Sequence, residues 1–165
     1  MSDKDHTIVL DNPMELEPIF GTPYPSPLQE SSKGREKRAM GDAVGIVHYG
    51  VNLVHIPPGE VSSQRHWHSK QDEFLYMLEG ELTLITDGGE RVLKAGMAAG
   101  FLANSGDGHH LRNDSASVAS YLVVGDRVGG DVCHYSDVDL HGVVSSDGQS
   151  ITFSHKDGHS YEEKD

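Results

Sequence analysis

The chain has 165 residues, enough for one domain with a hydrophobic core and too few for two domains of ordinary size. Hydrophobic residues make up 36% of it and there are 19 glycines, a composition that predicts many tight turns. Thirteen basic residues against 26 acidic ones give a net charge of -13. That charge repels phosphate backbones and argues against nucleic-acid binding.

The sequence also predicts where in the cell the protein is located. No run of 18 apolar residues is present, so we expect no membrane span. Residues 1–6 are too polar and acidic for a secretory signal, and we therefore expect a cytoplasmic protein. The single cysteine, Cys133, cannot form an internal disulfide, and we interpret it as a buried or half-buried thiol rather than a nucleophile.

Composition divides the chain into three parts. All seven prolines fall at or before Pro58, which predicts an irregular, extended N-terminal arm over residues 1–41, laid over the core or over a neighbouring subunit. Residues 42–154 are predicted to form the main domain, and residues 155–165 a polar tail. The arm ends in a basic cluster that we interpret as a solvated loop rather than an anion site: Lys33, Arg35, Lys37 and Arg38.

From residue 43 onward, short apolar runs alternate with Gly, Asp and Asn, a pattern typical of strands. A hairpin turn is predicted at residues 87–89. Because strands recur every 8 to 12 residues without helical periodicity, an all-β antiparallel sandwich or barrel is predicted. The predicted strands are 43–49, 51–56, 73–79, 81–86, 91–93, 97–102, 109–112, 118–124, 131–135 and 150–154.

A group of histidines suggests a metal site. His66 and His68 point to the same face if their segment is a strand, because strand side chains alternate. Glu73 begins the next predicted strand, and the pair His109 and His110 opens a later one. Spacing alone leaves two interpretations open, a metal site and surface histidines in a histidine-rich chain.

These residues resemble the two motifs of the cupin superfamily, and the resemblance covers residues 43–125, about half of the chain. It is closest to the small single-domain bacterial cupins. In place of the usual Pro-x-Gly before the second-motif histidine, the chain has a longer loop at residues 102–108. His109 has the spacing of the motif histidine, and His110 stays as the alternative. The matching residues are Gly59, His66, His68, Glu73 and Gly80 in the first motif, and Gly96, His109 and Asn113 in the second.

The resemblance implies a fold and a cofactor. The fold would be a double-stranded β-helix, the cupin jelly-roll barrel, with the extended arm added. A divalent transition metal would be held by His66, His68, Glu73 and His109. Imidazole and carboxylate ligands without a thiolate suit Fe, Mn, Ni, Co or Zn. Four protein ligands would leave up to two positions of an octahedral ion open to substrate.

Strand parity also nominates residues for a substrate pocket. Gln64 shares the parity of His66, and Met77 shares that of Glu73, so both are candidates for substrate binding. For Met77, a plain core position is the alternative interpretation. Tyr121 is the third candidate because its late strand is able to cross the cavity.

Two functional hypotheses follow from the resemblance. The first is a metal-dependent enzyme acting on a small polar metabolite by oxygenase, isomerase or lyase chemistry. The second is a non-catalytic cupin that binds or senses a small molecule. Few basic residues lie near the motifs, which argues mildly against a phosphorylated substrate, with Arg65 and Arg112 as the exceptions. For partners we expect a small-molecule ligand or substrate, no nucleic acid, no membrane, and a second copy of the chain in a homodimer.

Overall fold

The computed structural model describes residues 7–161, and most of the regular structure in this range is β-strand. No helix in the range has the length and apolar character needed to cross a bilayer. One turn of α-helix, Met40–Ala43, precedes the main strands. The strands are β1 (Ile19–Phe20), β2 (Glu36–Ala39), β3 (Tyr49–Ile56), β4 (His66–His68), β5 (Glu73–Glu79), β6 (Glu81–Thr86), β7 (Gly89–Lys94), β8 (Ala98–Phe101), β9 (His110–Arg112), β10 (Ala119–Asp126), β11 (Val132–Tyr135), β12 (His141–Val144) and β13 (Ile151–Ser154).

The strands form two opposed walls. One wall is a six-stranded sheet in the order β1-β2-β3-β10-β5-β8. The other consists of a four-stranded sheet, β13-β12-β11-β4, and a three-stranded sheet, β7-β6-β9. An antiparallel bridge between His66 and His109 connects these two smaller sheets. The expected all-β jelly-roll barrel is confirmed.

The core lies on the inner face of the six-stranded sheet. In β5, Leu75 and Met77 are buried, whereas Phe74 and Tyr76 on the alternate positions are exposed. Tyr121 of β10 pairs with Met77 and is also buried. Full burial of one large apolar side chain stabilises a fold by about 1.5–3 kcal/mol, so this alternation fixes which face of β5 turns inward.

The proline-rich arm contributes to the first sheet. β1 pairs with β2, and β2 pairs with β3 through registers such as Lys37 opposite Val54. Val54 is fully buried, so the side of β2 that carries Lys37 faces the barrel interior. The arm therefore extends the sheet by two strands and forms part of the wall around the interior.

Two sequence-based assignments differ from the structure. The strand expected over residues 43–49 is wrong, because the helical turn ends there and Gly45 takes a positive φ of 76°. β3 begins only at Tyr49. β12 was not predicted, since it is short and contains Gly142. A Cβ on Gly142 would lie 2.8 Å from the Ile151 Cδ1, so close strand packing explains this glycine.

Candidate metal centre and its cavity

Two histidines from different segments meet at the junction of the two smaller sheets. The His109 amide donates to the His66 carbonyl at 2.8 Å, and the His66 amide donates to the His109 carbonyl at 3.2 Å. Directly opposed residues of an antiparallel pair project their side chains to the same face. The imidazole rings accordingly lie side by side, with centroids 5.0 Å apart.

Glu73 reaches this pair from the opposite wall. Its Oε2 lies 3.0 Å from the Nε2 of His109, 3.7 Å from that of His68 and 3.9 Å from that of His66. Ligand atoms bound to one ion at about 2.0–2.2 Å are separated by no more than roughly 4.4 Å. Ligand atoms of His66, Glu73 and His109 all lie within 4.8 Å of one another, and the His68 Nε2 approaches the cluster through Glu73.

Hydrogen bonds at the far side of two imidazoles orient them toward the cluster. The His68 Nδ1 lies 2.6 Å from the Oδ2 of Asp131, a fully buried carboxylate. The His66 Nδ1 lies 2.8 Å from the Gln64 carbonyl oxygen. Nδ1–H donation to these oxygens leaves the Nε2 lone pairs directed at Glu73, the arrangement that metal-bound histidines adopt. A cation beside Glu73 would take up these lone pairs and offset the carboxylate charge, so the donor set fits a metal ion.

The pKa shifts of His66 and Glu73 agree with this arrangement. Burial lowers the pKa of His66 to about 4, so this ring is neutral at pH 7. Burial also acts to lower the pKa of His68, but the hydrogen bond to Asp131 and the nearby Glu73 outweigh it and raise the pKa. Burial acts to raise the pKa of Glu73, yet the hydrogen bond with His109 and the charges of the histidines lower it to about 2. Glu73 is therefore an ionised carboxylate.

The two neighbouring histidines of the second motif point to different places. His109 stacks on Phe101 with ring centroids 3.6 Å apart and presents its Nε2 to Glu73. The His110 Nδ1 instead lies 3.0 Å from the Ser63 carbonyl oxygen. The geometry favours His109 as the fourth ligand, because the edge of its ring is the one that faces the cluster.

A cavity of about 260 Å³ adjoins the cluster, and all four candidate ligands line it. Tyr121, one of the three residues nominated for substrate binding, lines it as well. Gln64 does not, since its side-chain amide donates to the Leu28 carbonyl at 2.7 Å. Met77 is fully buried among core side chains and has no part in the lining, which matches the alternative interpretation of this residue.

The arm supplies two cations that sequence analysis assigned elsewhere. Arg35 and Lys37 line the cavity, so the interpretation of the basic cluster as a solvated loop was wrong. Of the other members, Lys33 is exposed and Arg38 pairs with Glu36 at 2.7 Å. The signal that could have found the pair is the two-residue spacing of Arg35 and Lys37, which in a strand places both side chains on one face.

Neutral hydrogen-bond donors complete the lining. Burial raises the pKa values of Tyr24 and Tyr135 far above that of a free phenol, and it also raises the pKa of Tyr121. These three phenols are protonated at neutral pH.

Cys133 is 2% exposed and burial raises its pKa to about 12, as expected for a buried thiol. Its Sγ and nitrogens of His66 and His68 all lie within 4.8 Å of one another.

Comparisons with known proteins agree with the fold. The Cupin domain model matches residues 52–125. A sugar phosphate isomerase of the cupin superfamily from Silicibacter pomeroyi is 36% identical, with a TM-score of 0.86 over 92% of this chain and 95% of that one. A candidate sugar phosphate isomerase from Acidithiobacillus ferrooxidans is 26% identical, with a TM-score of 0.68 over 79% and 81% of the two chains.

A more distant structure shares the fold alone. It is an oxalate decarboxylase predicted for Thermotoga maritima, 21% identical, with a TM-score of 0.57 over 72% of this chain and 98% of that one. No curated protein matches the chain significantly. The identity and nearly complete coverage of the Silicibacter pomeroyi protein, together with the domain match, establish the family: this chain is a member of the cupin superfamily.

Proposed function

We propose that this cupin is a metal-dependent enzyme that isomerises a small, sugar-like hydroxycarbonyl metabolite. The observation that carries the proposal is the cavity beside the histidine–glutamate cluster, which combines that cluster with neutral phenols and two cations. Such a lining suits a substrate rich in hydroxyl groups. Similarity to two proteins described as sugar phosphate isomerases favours isomerase over oxygenase or lyase chemistry.

In this proposal His66, His68, Glu73 and His109 hold one divalent ion, with Fe, Mn, Ni, Co and Zn all compatible with the donor set. When bound, the ion would supply Lewis acidity toward a carbonyl or hydroxyl oxygen. Asp131 positions His68 by accepting a hydrogen bond from its Nδ1–H, and the carboxylate is itself held by the Ser69 hydroxyl at 3.0 Å.

The remaining lining residues bind and orient the substrate. The protonated hydroxyls of Tyr24, Tyr121 and Tyr135 are donors to substrate oxygens. Apolar side chains such as Leu75 and Leu111 narrow the cavity and limit access of bulk water. The site is thus suited to holding a polar molecule in one orientation while a proton moves between adjacent carbons.

Proton exchange with solvent tests this function directly. Metal-loaded protein is incubated in D2O with a panel of aldoses, ketoses and their phosphate esters, and products are followed by NMR. We expect interconversion of one aldose–ketose pair, with deuterium at the carbon next to the carbonyl. Glu73→Ala should abolish this activity, whereas Glu79→Ala, an exposed carboxylate on the same strand, should keep it.

Other outcomes would contradict the proposal. Oxygen consumption by the Fe(II) form without interconversion would favour an oxygenase. Tight binding of a panel member without turnover would support the alternative, a non-catalytic small-molecule-binding or sensing cupin.

Cytoplasmic location and the division of the chain at residues 41 and 154 stay predictions.

The homodimer also stays a prediction, and the outer face of β5 supports it. Phe74, Tyr76 and Leu78 share this face and are 48%, 40% and 38% exposed. Adjacent exposed apolar side chains on a sheet are typical of protein interfaces. We expect the wild type to sediment as a dimer and Tyr76→Glu to shift it toward monomer. Val92→Glu on β7 is the control, and a monomeric wild type would contradict the prediction.

A further inference from the structure

We propose that Arg35 and Lys37 form an anion subsite that binds a phosphate or carboxylate group of the substrate inside the cavity. The inference rests on the proposed function, because the anionic group belongs to the molecule that the metal centre would act on. It adds a substrate class, namely hydroxycarbonyl compounds that carry an oxyanion. It also replaces the sequence-based expectation against a phosphorylated substrate, which did not count Arg35 and Lys37 among the residues near the site.

The backbone directs both cations inward. Lys37 pairs with Val54 of β3, and Val54 pairs with Tyr121 of β10, so the three residues form a row on the inner face of the six-stranded sheet. Arg35 lies two residues before Lys37 and reaches the same cavity. At this end of the arm, the groups that face the cavity are therefore a guanidinium and an ammonium.

The hydrogen-bonding capacity of these cations is largely unused. The Lys37 ammonium makes no hydrogen bond or ion pair with any residue in the range 7–161, and Asp42 acts on it only as a nearby charge. Arg35 donates from Nη1 to the Gly21 carbonyl at 3.2 Å and interacts with the Tyr121 hydroxyl, while its buried Nε has no partner within that range. On the opposite face of the strand, by contrast, Arg38 is paired with Glu36 at 2.7 Å.

The charge of the cavity calls for an anion. Glu73 is the one carboxylate among the described lining residues, and the histidine cluster already engages it. Burial, and then the neighbouring Arg35, lower the pKa of Lys37, which shows the cost of placing two cations together away from water. A bound oxyanion offsets this cost through charge-assisted hydrogen bonds.

Both cations suit an oxyanion with several acceptor atoms. The guanidinium can donate to two oxygens at once, and the ammonium acts as a point charge beside it. Phosphate offers more acceptor oxygens than carboxylate, but both groups are anions whose oxygens can accept hydrogen bonds from these two cations. The strongly acidic protein as a whole would repel such a ligand, so a local pair of cations is needed to hold it.

Isothermal titration of metal-loaded protein with inorganic phosphate, and separately with acetate, tests the subsite without turnover. We expect wild type to bind at least one of the two anions, and the anion that binds identifies the group. Lys37→Gln should weaken this binding by about tenfold or more, as for loss of one charged hydrogen-bond partner. Lys33→Gln removes the same charge from an exposed position and should leave binding unchanged.

Lys37→Arg separates charge from packing, and it should retain most of the affinity. Equal anion affinity of wild type and Lys37→Gln would overturn the subsite, because the affinity of an anion held by the metal alone would not depend on Lys37. Absence of binding of both anions to wild type, or an equal loss in Lys37→Arg, would also overturn it. Metal content is measured in the same samples, so a failed metal centre and a failed anion subsite give different results.

Discussion

Glu73→Ala is expected to yield protein without stoichiometric metal, as measured by elemental analysis of samples purified without added ions. The carboxylate lies within 4 Å of three imidazole nitrogens, so its removal deletes one ligand and the negative charge that offsets the ion. Loss of a residue that merely orients a ligand costs roughly 10–100-fold in metal affinity, and loss of a direct ligand should exceed that.

Two further variants complete the experiment. His66→Ala should behave as Glu73→Ala does, because it removes another member of the cluster. Glu79→Ala changes an exposed carboxylate at the other end of β5 and should keep the metal. Full metal occupancy in Glu73→Ala, or its absence from wild type, would contradict the assigned ligand set.

The second large effect is expected at Asp131, which touches a candidate ligand but does not reach the cluster. Asp131→Asn should weaken metal binding by roughly 10–100-fold, because the amide holds the His68 imidazole less firmly than a carboxylate does. The same change should lower the free energy of unfolding by about 1–3 kcal/mol. The buried carboxylate now accepts from His68, from the Ser69 hydroxyl and from the Lys70 amide at 2.7 Å, and an amide cannot satisfy all three donors.

Metal titration and urea unfolding measure these two effects separately. Asp11→Asn makes the same chemical change at an exposed position in the arm and serves as the control. If Asp131→Asn kept wild-type metal affinity while losing stability, the carboxylate would have a purely structural role. An unchanged free energy of unfolding would contradict the hydrogen-bond network.

Local pattern accounts for much of the site. Alternation along a strand is a property of the backbone, so the shared face of His66 and His68 and that of Glu73 and Met77 follow from spacing alone. The hairpin turn at residues 87–89 follows from its glycines in the same way: β6 ends at Thr86 and β7 begins at Gly89. Length, composition and these patterns were enough to predict an all-β antiparallel sandwich or barrel, and the resemblance to cupins narrowed this to the jelly-roll barrel.

Long-range pairing supplied the rest. Asp131 meets His68 across 63 residues of sequence, and β2 meets β3 through registers that no local pattern encodes. For the same reason parity could show that Arg35 and Lys37 share a face, but not that this face forms a wall of the cavity. Which of His109 and His110 approaches Glu73 likewise depends on the bridge between His109 and His66. Sequence determined the faces of individual strands; the folded chain determined which faces meet, because strand partners are selected by burial of the whole core.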